Sequence, residues 1–467
     1  MESQAEVIPT TQENNNNGDT TINNLPSSNP SSLPFYQISK RYTLAILSHI
    51  GLILTISIFS YYHKILDLNK YTDNDESMKF WYKMMYILVQ IPAAIFSYKY
   101  SATHLFGICI LGNSIVTFLF PIISKWNDPA LLIVTLFHGL FMGATFPSFY
   151  SIWRYWAPPL ERSTLLAIGC TGLVSNWVIF NFIATRGYQG ISTDFISTGP
   201  LKLQNILYFY GILGILWYFA WHWHAFEHPS QHPRIIQQEL TYLQQNITIK
   251  HETPMPSITW KKILINMPIL TLILVNFSHN LTHPQSLKID LYNYNFYMNF
   301  YSLNKLIIIL VTSYVADLLL RKTSISTTNL RKIYISGGLT LSVLVILFVP
   351  NFMWDPSTGH IIAWYVELII YCLPYVALFA NHLDIAGQYA GITIALTNMI
   401  IEVYSMLKDD FKIEIFEIEI IDSHTFNKFL YIVLFLVGAL LYCIFGTSEQ
   451  QDLDNEKKQE ESTISRL

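Results

Sequence analysis

Asn381-His382-Leu383-Asp384-Ile385-Ala386-Gly387-Gln388-Tyr389-Ala390-Gly391-Ile392 joins two apolar stretches, 362–382 and 386–407. Each stretch is about 20 residues, the length of helix needed to cross a hydrocarbon core ~30 Å thick. The polar residues between them therefore read as a connection between two membrane helices. Ten similar stretches precede or follow, at roughly 42–62, 79–98, 104–122, 129–151, 163–184, 203–224, 264–285, 298–320, 332–350 and 426–447, which makes twelve. Only 13% of the residues are charged and 51% are hydrophobic, against about 25% charged in a soluble chain. Mean hydropathy is +0.32. A membrane β-barrel would show short alternating segments instead, so the expected class is an all-α membrane protein. The fourth stretch runs through Gly139, Gly143 and Pro147, which membrane helices tolerate when neighbours satisfy the backbone. The seventh and eighth are interrupted by His279, His283, Pro284, Lys288 and Asp290.

The longest internal polar segment, 225–263, divides the spans into an N-terminal half, 39–224, and a C-terminal half, 264–447. Two six-helix halves around a long central loop are the pattern of the major facilitator fold. Residues 1–38, with the run Asn14–Asn17, and residues 448–467, with Asp452-Leu453-Asp454-Asn455-Glu456-Lys457-Lys458, read as solvated, disordered tails. The acidic, polar start Met1-Glu2-Ser3-Gln4 predicts no secretory signal peptide. An even number of spans puts both tails on one side. The short loops there carry Lys99, Arg154, Arg162, Arg321, Lys322, Arg331 and Lys332; opposite loops hold Asp73-Asn74-Asp75-Glu76 and Asp409-Asp410. The positive-inside rule then predicts cytosolic termini. Cys109, Cys170, Cys372 and Cys443 all lie in apolar stretches and form no close pair. Neither a disulfide framework nor a metal site is expected. No nucleotide loop or nucleophile motif is present, so no enzyme activity, cofactor or nucleic-acid partner is expected.

A second signature, Trp156-Ala157-Pro158-Pro159-Leu160-Glu161-Arg162-Ser163, also separates two apolar stretches. With 381–391 it resembles the anion/phosphate–sodium symporter family of solute carriers, which includes sialin and the vesicular glutamate transporters. Further similarities follow in order along 40–447: Lys40-Arg41-Tyr42, Gln90-Ile91-Pro92, Leu105-Phe106-Gly107, Gly143-Ala144-Thr145-Phe146-Pro147, Ala316-Asp317 and Ser326-Thr327-Thr328 with Arg331-Lys332. The resemblance implies a twelve-helix major facilitator fold and transport by alternating access.

The departures bear on chemistry. Where the vesicular glutamate branch carries arginine in its first and fourth spans and glutamate in its fourth, this chain has Phe59, Thr135 and Met142. The second-span histidine position is Lys79, the seventh-span arginine position is His279, and the signature Pro-Arg pair is Gly387-Gln388. A carboxylate leaving water needs compensating positive charge, and arginine supplies it permanently with a bidentate fork. Their loss implies that glutamate is not the substrate.

The polar residues left in the spans are the candidates. Lys79 reads as a snorkelling interfacial lysine or as a cation facing the extracytoplasmic vestibule. His279 and His138 read as hydrogen-bonded packing residues or as pH-dependent anion ligands. Tyr86 and Asn398 join them as candidate substrate-binding residues. Glu402 is an interhelical hydrogen-bonding acid or a protonatable coupling group. Asp317 and Arg321, read in the loop between spans eight and nine, and Glu161, Arg162 and Asp384 of the signatures read as gating residues. The expected function is a secondary active transporter of a small organic or inorganic anion, coupled to protons or sodium. Its partners are that anion, the coupling cation and the bilayer of a plasma, lysosomal or vesicular membrane. The alternative is a divergent relative that has lost transport and acts as a membrane scaffold or regulator.

Overall fold

The computed structural model describes residues 38–67, 75–126, 128–176, 203–247, 259–281, 294–352, 356–409 and 423–453. The tails at 1–37 and 454–467 and the interruption at 283–290 lie outside them, as do the side chains of both acidic clusters.

Among the described residues, twelve helices occupy the twelve apolar stretches: α1 (Lys40–Asp67), α2 (Asp75–Phe96), α3 (Ala102–Ile123), α4 (Asp128–Trp156), α5 (Arg162–Cys170), α6 (Leu203–His224), α7 (Met267–Leu281), α8 (Tyr294–Lys322), α9 (Gly338–Phe352), α10 (Pro356–Ala386), α11 (Ala390–Asp409) and α12 (Ser423–Phe445). Seven described runs are long and apolar enough to cross a bilayer; two of these, Ser77–Ile123 and Leu368–Leu407, each hold a pair of helices. Short π turns, Ser97–Ser101 and Ile333–Gly337, lead into α3 and α9. No membrane-spanning helix could leave its backbone unpaired in lipid, which is why the apolar stretches and the helices coincide.

Each half has its own core. Aromatic and aliphatic side chains of α1–α6, including Phe106, Phe149, Trp153 and Trp217, form one. Those of α7–α12, including Leu272, Leu339, Phe435 and Tyr442, form the other. The halves meet where α2 and α4 lie against α11, and where α5 lies against α8 and α10. Two glycines set the α2–α4 distance. A Cβ on Gly139 would stand 2.5 Å from the Tyr82 carbonyl oxygen, and one on Gly143 would stand 2.5 Å from that of Tyr86. Small residues four apart let two membrane backbones approach this closely.

Three segments differ from the sequence reading. Asp317 and Arg321 lie on the last turns of α8, not in a loop. His382 and Asp384 lie at the end of α10, because that helix continues to Ala386 before a 3-10 turn at Gly387–Tyr389. The helix outlasts its apolar stretch because its polar residues face partners inside the protein. His382 accepts from Asn276 of α7 at 3.2 Å and donates to Thr393 of α11 at 3.1 Å. The third is the start of the C-terminal tail. Gln451 N–H donates to the Ile385 carbonyl at 2.8 Å, and Leu453 is buried. Thr447–Leu453 is therefore a docked strap. Gly387, at φ +50°, leaves the space that Gln450 fills.

Candidate functional site

Lys40 begins α1 and Phe445 ends α12; the face that carries them is the terminal face. Its signature residues form buried ion pairs between the halves. Asp384 of α10 accepts from Arg162 of α5 at 2.6 Å and from Arg331, before α9, at 2.8 Å. Arg331 also donates to the Ser163 hydroxyl at 2.9 Å. Asp317 of α8 accepts from the backbone N–H groups of Ser163 and Thr164 at 3.2 and 2.7 Å. It thus caps the N-terminus of α5, where the helix dipole favours a carboxylate. Glu161 holds Arg41 at 2.7 Å and lies 3.8 Å from Arg321. All five predicted gating residues fall in this one network. Gly391, in the first turn of α11, adds a close approach: a Cβ there would stand 2.7 Å from the Pro147 carbonyl of α4.

The segment after α6 completes the network. Glu239, on a short helix at Gln237–Asn246, accepts from the Arg41 guanidinium at 3.0 Å and from the backbone N–H groups of Lys40 and Arg41 at the start of α1. Tyr242 on the same helix donates to Glu161 at 3.3 Å. Its hydroxyl stays protonated, because burial and then the Glu161 carboxylate push its pKa to about 12. The connection between α2 and α3 lacks an acid of its own, but Glu227 reaches it from beyond α6. Glu227 accepts from Arg154 at 2.9 Å, from the Ser101 hydroxyl at 2.8 Å and from the Thr103 N–H at 2.9 Å. Burial pushes this carboxyl up, but Arg154 and the Thr103 and Ser101 donors outweigh it and hold it below its ordinary value. Arg154 and Arg331 are buried, so they are internal counterions and not solvent-facing loop charges.

Deeper in the bundle the candidates separate into two seams. His279 is 1% exposed and stacks on Tyr371 of α10 with ring centroids 4.0 Å apart. Its Nε2 donates to the Tyr371 carbonyl at 3.1 Å, and the Tyr371 hydroxyl donates back to the His279 carbonyl at 3.1 Å. Tyr371 and Tyr375 also flank Lys305 of α8, whose Nζ lies 5.1 and 5.2 Å from their centroids. In the other seam, Glu402 of α11 lies within electrostatic reach of Tyr82 and Tyr86 of α2. Asn398 and Lys79 are half-buried on those same helices. His138 of α4 is fully buried against Tyr62 and Tyr82, with centroids 4.2 and 5.5 Å away. The structure thus brings Tyr86 to Glu402 and packs His279 of α7 against a different helix, α10.

The Major Facilitator Superfamily profile matches residues 42–407. The chain belongs to the Major Facilitator Superfamily. Vesicular glutamate transporter 1 of Xenopus laevis is 29% identical over 330 residues, 67% of this chain and 55% of that protein. Vesicular glutamate transporter 2 of Homo sapiens is 28% identical over 408 residues, 80% of this chain and 65% of that protein. The matches thus span less than two thirds of these relatives. A proton:xylose symporter, XylE, bound to 6-bromo-6-deoxy-D-glucose shares the fold, with a TM-score of 0.60 at 12% identity over 88% of this chain and 96% of that one. The signature stretches and the relatives agree on a multi-pass membrane protein of the facilitator fold, similar to the vesicular glutamate transporters.

In this facilitator, the positions that have lost the branch's charged residues are packed with neutral groups. Phe59 packs tilted against His63, ring centroids 4.3 Å apart, and against Tyr82 at 5.8 Å. Thr135 is buried and bonds to the Tyr62 hydroxyl. Met142 is 3% exposed. Sequence reasoning missed Lys305, because a single lysine in an apolar run has no spacing partner to mark it. It also missed Glu227 and Glu239, single acids in a polar segment read as a loop, which no local spacing links to their arginines.

Proposed function

We propose that this facilitator moves a small organic or inorganic anion by alternating access, coupled to a proton or sodium gradient, with both termini in the cytosol. The observation that carries this reading is the Asp384 cluster. One carboxylate joins Arg162 from the N-terminal half to Arg331 from the C-terminal half. Opening the terminal face must separate Arg162 from Asp384 and Asp317 from α5. Closing must re-form both contacts. A set of charged contacts that makes or breaks as a unit is the two-state element that alternating access requires.

His279, Lys79, His138, Tyr86 and Asn398 are the proposed substrate-facing residues, and Glu402 the coupling acid. Glutamate is not the proposed substrate, because Phe59, Thr135 and Met142 fill the N-terminal half with neutral side chains. The test is uptake of radiolabelled anions into proteoliposomes under imposed proton, sodium and voltage gradients. Saturable, gradient-driven accumulation of a non-glutamate anion is the expected result. No accumulation of any anion under any gradient favours the scaffold or regulator reading.

A further inference from the structure

Lys305 sits on α8 twelve residues before Asp317, so it lies ~18 Å from the terminal-face network at 1.5 Å rise per residue. It is 9% exposed, so its side chain does not snorkel to a lipid or water surface. Among the described residues no carboxylate lies within ion-pair distance of it. Its contacts are the faces of Tyr371 and Tyr375 and the Cys372 thiol. Tyr375 packs in an apolar cluster with Ala167 of α5, Val174 just beyond it, Ile309 of α8 and Val376 of α10. The lysine therefore lies beside the seam where α5 of one half meets α8 and α10 of the other.

An ammonium in such surroundings is expensive. Removing one from water costs several kcal/mol even after relaxation, whereas a cation–π contact returns ~0.5–2 kcal/mol. Two ring faces leave the charge incompletely compensated. Yet the surroundings are built to hold it: Tyr371 is fixed by reciprocal bonds with His279 across α7 and α10, and Tyr375 is braced by Phe379 at 4.2 Å. A rigid cation beside the seam between the halves, with no carboxylate at ion-pair distance among the described residues, is what a bound anion would neutralise.

We propose that Lys305 is the anion-binding residue, seated on Tyr371 and Tyr375, and that it selects a substrate with a single carboxylate. This rests on the anion-transport reading above and adds the residue and the charge number. One lysine offers one point charge and no bidentate fork. A second carboxylate would find no second cation beside the first among the described residues, so a dicarboxylate is disfavoured.

The test uses the purified full chain in chloride-free buffer, with gluconate and lactate as monocarboxylate probes and succinate as the dicarboxylate. Thermal unfolding in detergent reads binding, and radiolabelled uptake into proteoliposomes reads transport. In the parent, gluconate or lactate raises Tm and is taken up, and succinate does neither. Lys305→Met raises Tm without added anion, because it removes a buried charge, abolishes the probe-induced rise and cuts uptake by about tenfold or more. Lys305→Arg restores the probe-induced rise. A packing role alone would predict a lower Tm for Lys305→Met and an unchanged response to probe. Parent uptake that persists within about twofold in Lys305→Met overturns the assignment and leaves anion transport standing. Succinate binding as strong as gluconate overturns the single-carboxylate selectivity. If no anion binds or enters the parent while Lys305→Met lowers Tm, both readings fall.

Discussion

Arg162 and Asp384 meet at 2.6 Å although 222 residues separate them in the chain. Each belongs to one of the two signature stretches, and their ion pair joins the two halves at the terminal face. Arg331 completes the cluster from the other side of the same carboxylate. Removing one member of a buried pair costs about 3–5 kcal/mol, because the remaining charge is stranded. Asp384→Asn strands both arginines and is expected to lower Tm substantially. Arg331→Gln in that background should cost much less than in the parent. A double-mutant cycle on thermal unfolding checks this, and additive losses would refute the shared cluster.

Glu227 sets an acid limit. Arg154, Ser101 and Thr103 hold its folded pKa below the ordinary 4.5. A depressed carboxyl contributes stability that is fully present above the unfolded value and is lost as pH falls through the folded one. Tm should therefore drop as pH falls below about 4.5, and Glu227→Gln should flatten that part of the profile while lowering Tm at neutral pH. An unchanged acid limb in the variant would rule out this origin.

The α2–α4 contact depends on the absence of a side chain. Gly143→Val would drive a Cβ into the Tyr86 carbonyl region and push α4 away from α2. Little folded protein is expected on size-exclusion chromatography. Gly337→Ala is the control, since a Cβ there meets nothing within 4 Å, and it should behave like the parent. Equal yields from the two variants would contradict the close approach.

The docked strap gives a further test. Stopping the chain after Gly446 removes the Gln451–Ile385 bond and the buried Leu453, while stopping after Leu453 keeps both. The shorter chain should unfold at a lower temperature and the longer one like the parent. Gly387→Ala should resemble the shorter chain, because it combines a positive φ with the Gln450 contact. Equal stability of both truncations would show that the strap contributes nothing.

Much of the fold was legible because lipid forces it. A span without internal backbone bonding cannot exist in hydrocarbon, so apolar length located all twelve helices. The signature stretches also marked the residues that meet in the terminal-face network. Their pairing was not legible: Arg41 reaches Glu239 across 198 residues, and no local spacing encodes such a partner. Arg154 and Arg331 look like loop charges in the sequence, yet each is buried against an acid from a distant segment. The same limit hid Lys305. Two tyrosines 66 and 70 positions later cover it, with no carboxylate at ion-pair distance among the described residues, and only the assembled helices reveal that.

Coupling is the last prediction. Glu402 lies on α11 within electrostatic reach of Tyr82 and Tyr86 of α2, so the acid stands where the two halves touch. Twelve residues separate it from the start of α11, which puts it ~18 Å from the terminal face at 1.5 Å per residue. A carboxyl at that depth is costly when ionised. Binding a proton or a sodium ion would relieve that cost, and α2 and α11 could then slide past one another with the charge neutralised. Glu402→Gln mimics the neutral form permanently. It should abolish gradient-driven accumulation while leaving exchange of labelled for unlabelled anion across the same proteoliposomes. Tyr86→Phe, which keeps the ring and removes the hydroxyl, should weaken accumulation less than Glu402→Gln. Accumulation unchanged in Glu402→Gln would return this acid to a packing role. Loss of exchange together with accumulation would show that Glu402 is needed for the conformational cycle itself, and the coupling assignment would fall.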